Sequence, residues 1–104
     1  LIIIKSRREQ EIHLFLIKNH GHYNLGFIHM ELELYNIAAN NFSDAIYSNS
    51  SFYQAYYARG ICFETLGKIN QAESDYKRAI ELNPSYNYAI DALKLLQQNN
   101  EKYN

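Results

Sequence analysis

Apolar residues recur along most of this chain at intervals of four, three and one, the spacing that gathers them on one face of an α-helix. Ala38, Phe42, Ala45 and Ile46 form one such stripe, and Ala72, Tyr76, Ala79 and Ile80 form another. Breaks fall beside the stripes. Gly67 supplies a turn, and Pro84, after Ile80-Glu81-Leu82-Asn83, stops a helix because it has no amide hydrogen and fixes φ. The pattern predicts helices near 20–33, 36–48, 53–66, 69–82 and 87–99.

Laid on itself at an offset of 34 residues, the separation of Gly26 and Gly60, the sequence repeats. Tyr23 falls on Tyr57, His29 on Phe63, Tyr35 on Ile69, Asn36 on Asn70, Ala38 on Ala72 and Phe42 on Tyr76. Further along, Ala45 falls on Ala79, Ile46 on Ile80, Asn49 on Asn83, Ser51 on Ser85 and Phe52 on Tyr86. Small residues at 26, 38, 60 and 72 suit two helices crossing at close range, with aromatic rings filling the space beside them. Each unit therefore reads as a helical hairpin.

A 34-residue hairpin period is that of the tetratricopeptide repeat (TPR), and the second unit resembles that family through Tyr56, Gly60, Phe63, Ala72, Tyr76, Ala79 and Pro84. The first unit supplies Leu25, Gly26, Ala38, Phe42 and Ala45. Three residues depart from the pattern: Arg59 stands where Leu is usual, Glu33 where a turn Gly is common, and Ser50 where Pro is typical. Arg59 is expected to lay its stem on apolar surface and keep its head in water. The resemblance implies an all-α fold of antiparallel helical hairpins stacked as a right-handed solenoid. Units span 19–52 and 53–86. A degenerate helix with a stripe at Ile12, Phe15 and Leu16 occupies 1–18, and a capping helix and tail occupy 87–104. In that last segment Ala89, Ile90 and Leu93 keep the register while Lys94 replaces the packing Gly, as suits the solvated end of a solenoid.

In such arrays the first helix of each hairpin lines a concave wall, which the resemblance assigns to His20, Tyr23, Phe27 and Met30, then Gln54, Tyr57, Ile61 and Glu64, with Tyr88 and Asp91 following. The implied groove is aromatic and apolar with sparse charge. It suits another protein's extended peptide or amphipathic helix, because rigid aromatics give large contact area at small entropic cost. Phe27, Met30 and Ile61 also suit packing, which leaves Tyr23 and Tyr57 as the stronger groove candidates. Some family members grip a chaperone's C-terminal carboxylate with Lys, Asn and Arg. Here Tyr23 and Tyr57 hold the Lys position, Phe27 and Ile61 that of one Asn, and Ala58 that of the other, so a chaperone tail is disfavoured.

Composition narrows the function further. Hydrophobic residues at 47% and charged residues at 20% describe a chain that folds, and 104 residues suffice for one domain. Ten basic against eleven acidic residues give a formal net charge of -1, without the basic excess that nucleic acid or anionic lipid requires. No apolar run reaches the length of a membrane span, and LIII precedes KSRRE, the reverse of a signal peptide's charge order. A cytoplasmic setting is favoured, although Leu1 in place of an initiator Met predicts a start inside a longer product or after processing.

Cys62 alone allows no internal disulfide, and on an inward-facing helix its thiol is expected to be inert. His20, His22 and His29 lie close together, yet the seven-residue spacing of His22 and His29, with no Cys or carboxylate to complete a set, does not make a zinc site. Asp44, Glu73 and Asp75 are expected on solvated faces, and Gly21, Gly26, Gly60 and Gly67 follow no phosphate-loop spacing. The expectation is a protein–protein interaction module with no cofactor, no metal and no catalysis. The alternatives are a regulatory or anchoring segment of a larger enzyme or of an envelope or secretion assembly, and a self-association module.

Overall fold

The structure, a computed structural model, describes residues 6–102. The side chains of 12–20, 101 and 102 lie outside that description, and so does the expected stripe of Ile12, Phe15 and Leu16. Among the described residues there are five helical elements and no strand: α1 (Arg7–Glu31), α2 (Tyr35–Ser48), α3 (Tyr53–Thr65), α4 (Ile69–Leu82) and α5 (Asn87–Lys102). None of them is long and apolar enough to cross a membrane.

α1 opens where the Ser6 hydroxyl accepts from the Glu9 amide at 3.2 Å, a Ser-x-x-Glu start that satisfies one of the helix's free donors. It breaks at Gly21, whose φ of 72° and ψ of 173° lie outside the helical region and are accessible to a residue without Cβ. The helix start expected near residue 20 falls at this break.

The end expected at 33 comes earlier, at Glu31, because Glu33 adopts a left-handed φ of 60°. There the Leu34 amide donates to the His29 carbonyl at 2.8 Å and the Glu33 amide to that of Met30 at 2.9 Å. The same closure recurs one period later, with Gly67 at φ 79°, the Lys68 amide on Phe63 at 2.8 Å and the Gly67 amide on Glu64 at 3.0 Å. Glu33 thus holds a conformation that Gly67 adopts without Cβ strain.

The turns between hairpins repeat as closely. The Asn49 side chain accepts from the Ser51 amide at 3.1 Å and the Asn83 side chain from that of Ser85 at 3.2 Å. Asn49 lies at φ -146°, ψ 96° and Asn83, which precedes Pro84, at φ -142°, ψ 92°. The backbone before Ser50 is therefore already the backbone before a proline. Glu33→Gly is expected to stabilise the fold by about 1 kcal/mol, the relief of left-handed strain exceeding the added freedom of the unfolded chain. Ser50→Pro is expected to add about 0.4–1 kcal/mol. Urea melts of each variant check both, and a loss at either site would mean that the two units' turns are not equivalent.

Only helices adjacent in sequence pack extensively: α1 with α2, α2 with α3, α3 with α4 and α4 with α5. This nearest-neighbour stack is an all-α solenoid. Its interior alternates small residues with single large rings. Ala38, Ala39, Phe42, Ala58 and Cys62 form one buried cluster, while Ala72, Tyr76 and Leu96 form the next, and the half-buried Phe63 packs on both. The Cys62 thiol is fully buried, and burial pushes it up to about 11, so it stays protonated and unreactive near neutrality.

Two expectations are corrected inside this core. The Arg59 head is not left in water, and Asp75, 4% exposed, is not on a solvated face. Arg59 Nε donates to Asp75 Oδ2 at 2.8 Å and Nη2 to Oδ1 at 2.7 Å, while Nη1 reaches the Ser43 hydroxyl at 3.1 Å. This bidentate pair ties α3 to α4, and the third bond ties α3 back to α2. By contrast, Asp44 stays exposed, 3.7 Å from His22, and Glu73 pairs with Lys77 at 2.9 Å. In the first unit the corresponding positions are Leu25, which is buried, and Asn41, whose Oδ1 lies 2.6 Å from the Nδ1 of buried His29. Each hairpin therefore closes on its own polar contact.

Candidate protein-interaction groove

The first helices of the hairpins, the part of α1 after Gly21 and then α3 and α5, carry the residues assigned to the concave wall. Their rings form two clusters in contact with the core. Tyr23 lies 4.9 Å from Phe27, 5.8 Å from Phe42 and 4.6 Å from Phe52, centroid to centroid. One period on, Tyr57 lies 5.5 Å from Tyr86, 6.1 Å from Tyr88 and 5.9 Å from the buried Tyr76. Tyr53 joins the second cluster through Tyr86 at 4.8 Å.

The assigned residues divide by exposure. Tyr23, Gln54 and Tyr57 are half-buried, and Met30 and Ile61 pack against the two core clusters. Phe27 is 40% exposed and Tyr88 69% exposed, which makes them the most accessible rings of the set. Glu64 is exposed and accepts the Tyr76 hydroxyl at 2.8 Å. Asp91 is exposed on α5, and the side chain of His20 lies outside the described residues.

Phe52, Tyr53 and Tyr86 were not among the assigned positions, yet they fill the spaces between the first helices. Phe52 and Tyr86 match at the 34-residue offset, so their signal was present in the sequence as a repeated aromatic at the hairpin junction. A hollow of about 320 Å³ opens beside Phe52 and Tyr23, bordered by Gly21, His22, Ala45, Ser48 and Asn49.

Burial, before any neighbouring group, pushes the Tyr23 and Tyr57 phenols up, and it pushes Tyr86 up to about 12. These hydroxyls stay neutral near physiological pH. The surface can therefore offer apolar ring area and neutral hydrogen-bonding groups. The two positions of the carboxylate grip that fall at 23 and 57 hold these half-buried phenols and no cation.

A family model described as the tetratricopeptide repeat matches residues 53–86, the α3–α4 hairpin with its flanking turns. Among solved structures, the chain is similar to the first TPR of Spaghetti (RPAP3) bound to an HSP90 peptide, at 28% identity and a TM-score of 0.72. It is similar to the first TPR domain of human RPAP3 by the same measures. Each match covers 74% of this chain and 61% of the other, so this chain spans 61% of the length of those domains. The Arabidopsis OM64 TPR domain is similar at 25% identity and a TM-score of 0.76, covering 85% of this chain and 77% of that one. Residues 53–86 thus form a tetratricopeptide repeat, and the stack of like hairpins around it has the architecture of TPR domains, that of a protein–protein interaction module.

Proposed function

We propose that this module binds an extended peptide or an amphipathic helix of a partner protein along the wall formed by α1, α3 and α5. The observation that carries the reading is the pair of ring clusters, held half-buried by the core at Tyr23 and Tyr57 while Phe27 and Tyr88 remain exposed. Rings already fixed by packing lose little freedom when a ligand covers them. The chain itself performs no chemistry in this reading.

Photo-crosslinking tests it. A benzophenone amino acid placed at Tyr88 or at Phe27 is expected to capture the same partner band from the native lysate. The same group at Tyr47, 93% exposed on α2, is expected to capture none of it. A band obtained from position 47 alone would move the binding surface to the outer helices.

A second reading comes from the similar RPAP3 structure, which holds the HSP90 peptide SRMEEVD. Against it stand Tyr23, Phe27, Tyr57, Ala58 and Ile61 at the positions that would grip a terminal carboxylate. Polarisation titration of labelled SRMEEVD separates the two. Saturable binding that requires the free carboxylate would replace the first reading by a chaperone-tail function.

A further inference from the structure

Cation and ring placement within the chain points to the charge of the groove's occupant. Among the described residues, the chain's own cations lie over two rings only. Arg59 is 5.6 Å from the centroids of Tyr56 and Phe63, Lys68 is 5.9 Å from that of Phe63, and Arg78 is 6.0 Å from that of Tyr56. Tyr53, Tyr57, Tyr86 and Tyr88 contact one another at 4.8–6.1 Å, and no Lys or Arg of the described residues covers them. The face of such a ring carries negative potential and attracts ammonium and guanidinium groups.

The charges along the wall have the same sign. None of the assigned groove positions is Lys or Arg, while Glu64 and Asp91 are exposed carboxylates. Glu64 lies close enough to Tyr57 to raise its phenol further, after the effects of burial and of Tyr88. Among the described residues it makes no ion pair and accepts a hydrogen bond from the Tyr76 hydroxyl. Lys94 borders the same hollow as Asp91, beside Leu95 and Gln98, and offsets that carboxylate in part. An acidic segment would meet ring faces and an unpaired carboxylate here, and a cationic one would meet complementary charge.

Resting on the groove reading above, we infer that the occupant is a partner segment bearing Arg or Lys side chains, which lie over Tyr57 and Tyr88 and against Glu64. Apolar residues of the same segment cover Phe27 and the rings around Tyr23.

The probe is a random peptide library displayed on phage and selected on the whole chain. Selected sequences are expected to be enriched in Arg and Lys beside apolar residues. Synthetic copies are expected to weaken about tenfold on Glu64→Gln/Asp91→Asn and to weaken with added salt. Glu64→Gln retains an oxygen to accept the Tyr76 hydroxyl, so the fold is kept. Enrichment in acidic or neutral sequences that still require Phe27 and Tyr88, read with Phe27→Ser and Tyr88→Ser, would overturn the cationic partner and leave the groove standing. Sequences indifferent to those two substitutions, or no selection above background, would overturn both.

Discussion

Replacing Arg59 with Leu, the residue that the first unit carries at position 25, is expected to destabilise the protein by about 3–5 kcal/mol, as read from urea unfolding. Leu is the usual residue of the family pattern here, so sequence alone would predict a gain. The cost arises at Asp75, which is 4% exposed and receives two hydrogen bonds from the guanidinium. Without Arg59 that carboxylate stays buried with no countercharge, whereas Ser43, half-buried at the edge, can turn its hydroxyl to water. Adding Asp75→Asn removes the uncompensated charge and is expected to recover part of the loss, the remainder reflecting that Asn41 in the first unit has His29 as its partner where the second unit has Phe63. A neutral Arg59→Leu single variant would show that the head's contacts contribute nothing.

The same variant has a pH signature. Burial already pushes the Asp75 carboxyl above its ordinary value, with Arg59 pulling in the opposite direction. Once the guanidinium is gone the folded-state value rises further, while the unfolded one stays near about 3.9. A carboxyl with a raised folded value stabilises the fold when protonated, and that contribution is lost as pH rises through the raised value. The deficit of Arg59→Leu is therefore smallest near about pH 4 and grows toward neutrality. The double variant has no carboxyl at 75 and is expected to lose this slope.

The contrast between the units explains what was legible in the sequence. The 34-residue period identified the hairpins because the same ring packs on the same small residue twice, and the matched Asn49 and Asn83 mark turns whose hydrogen bonds are the same. Where the units differ, the sequence misleads if each residue is read alone. Arg59 looked like a surface cation and Asp75 like a solvated acid, and only the crossing of α3 and α4 brings them together. The same holds for Glu64 and Tyr76. The first unit has Met30 and Phe42 there, so a hydroxyl appears in the core only where a carboxylate appears to receive it. On the proposed groove wall, the positions that the family resemblance assigns lie on the first helices and leave out Phe52 and Tyr86, whose rings enter from the junctions between hairpins although they too repeat at the 34-residue offset.

Gly60→Ala is expected to cost about 2–3 kcal/mol, although Ala is the better helix former by about 1 kcal/mol. A Cβ at Gly60 would lie 2.6 and 2.8 Å from ring carbons of Tyr76 and 3.3 Å from the Asp75 Cβ. Gly26 faces the equivalent conflict, 2.5 Å from the Phe42 ring. The two rings differ in how far they can yield. Tyr76 is held at its far end by Glu64, whereas Phe42 has no hydroxyl to anchor it, so Gly26→Ala is expected to be the milder of the pair. Position 94 supplies the control within the same chain. It occupies the equivalent place on α5, and there an exposed Lys is accommodated, so Lys94→Ala is expected to change stability by less than about 0.5 kcal/mol. Equal effects at 60 and 94 would show that the close approach at Gly60 contributes little. If the conflict is real it reaches the groove as well, since Tyr76 lies behind Tyr57 at 5.9 Å and a ring displaced by the new methyl group pushes on the tyrosine cluster. Crosslinking from position 88 is then expected to fall in Gly60→Ala even under conditions where the variant remains folded, which would tie the spacing between helices to the shape of the surface they present.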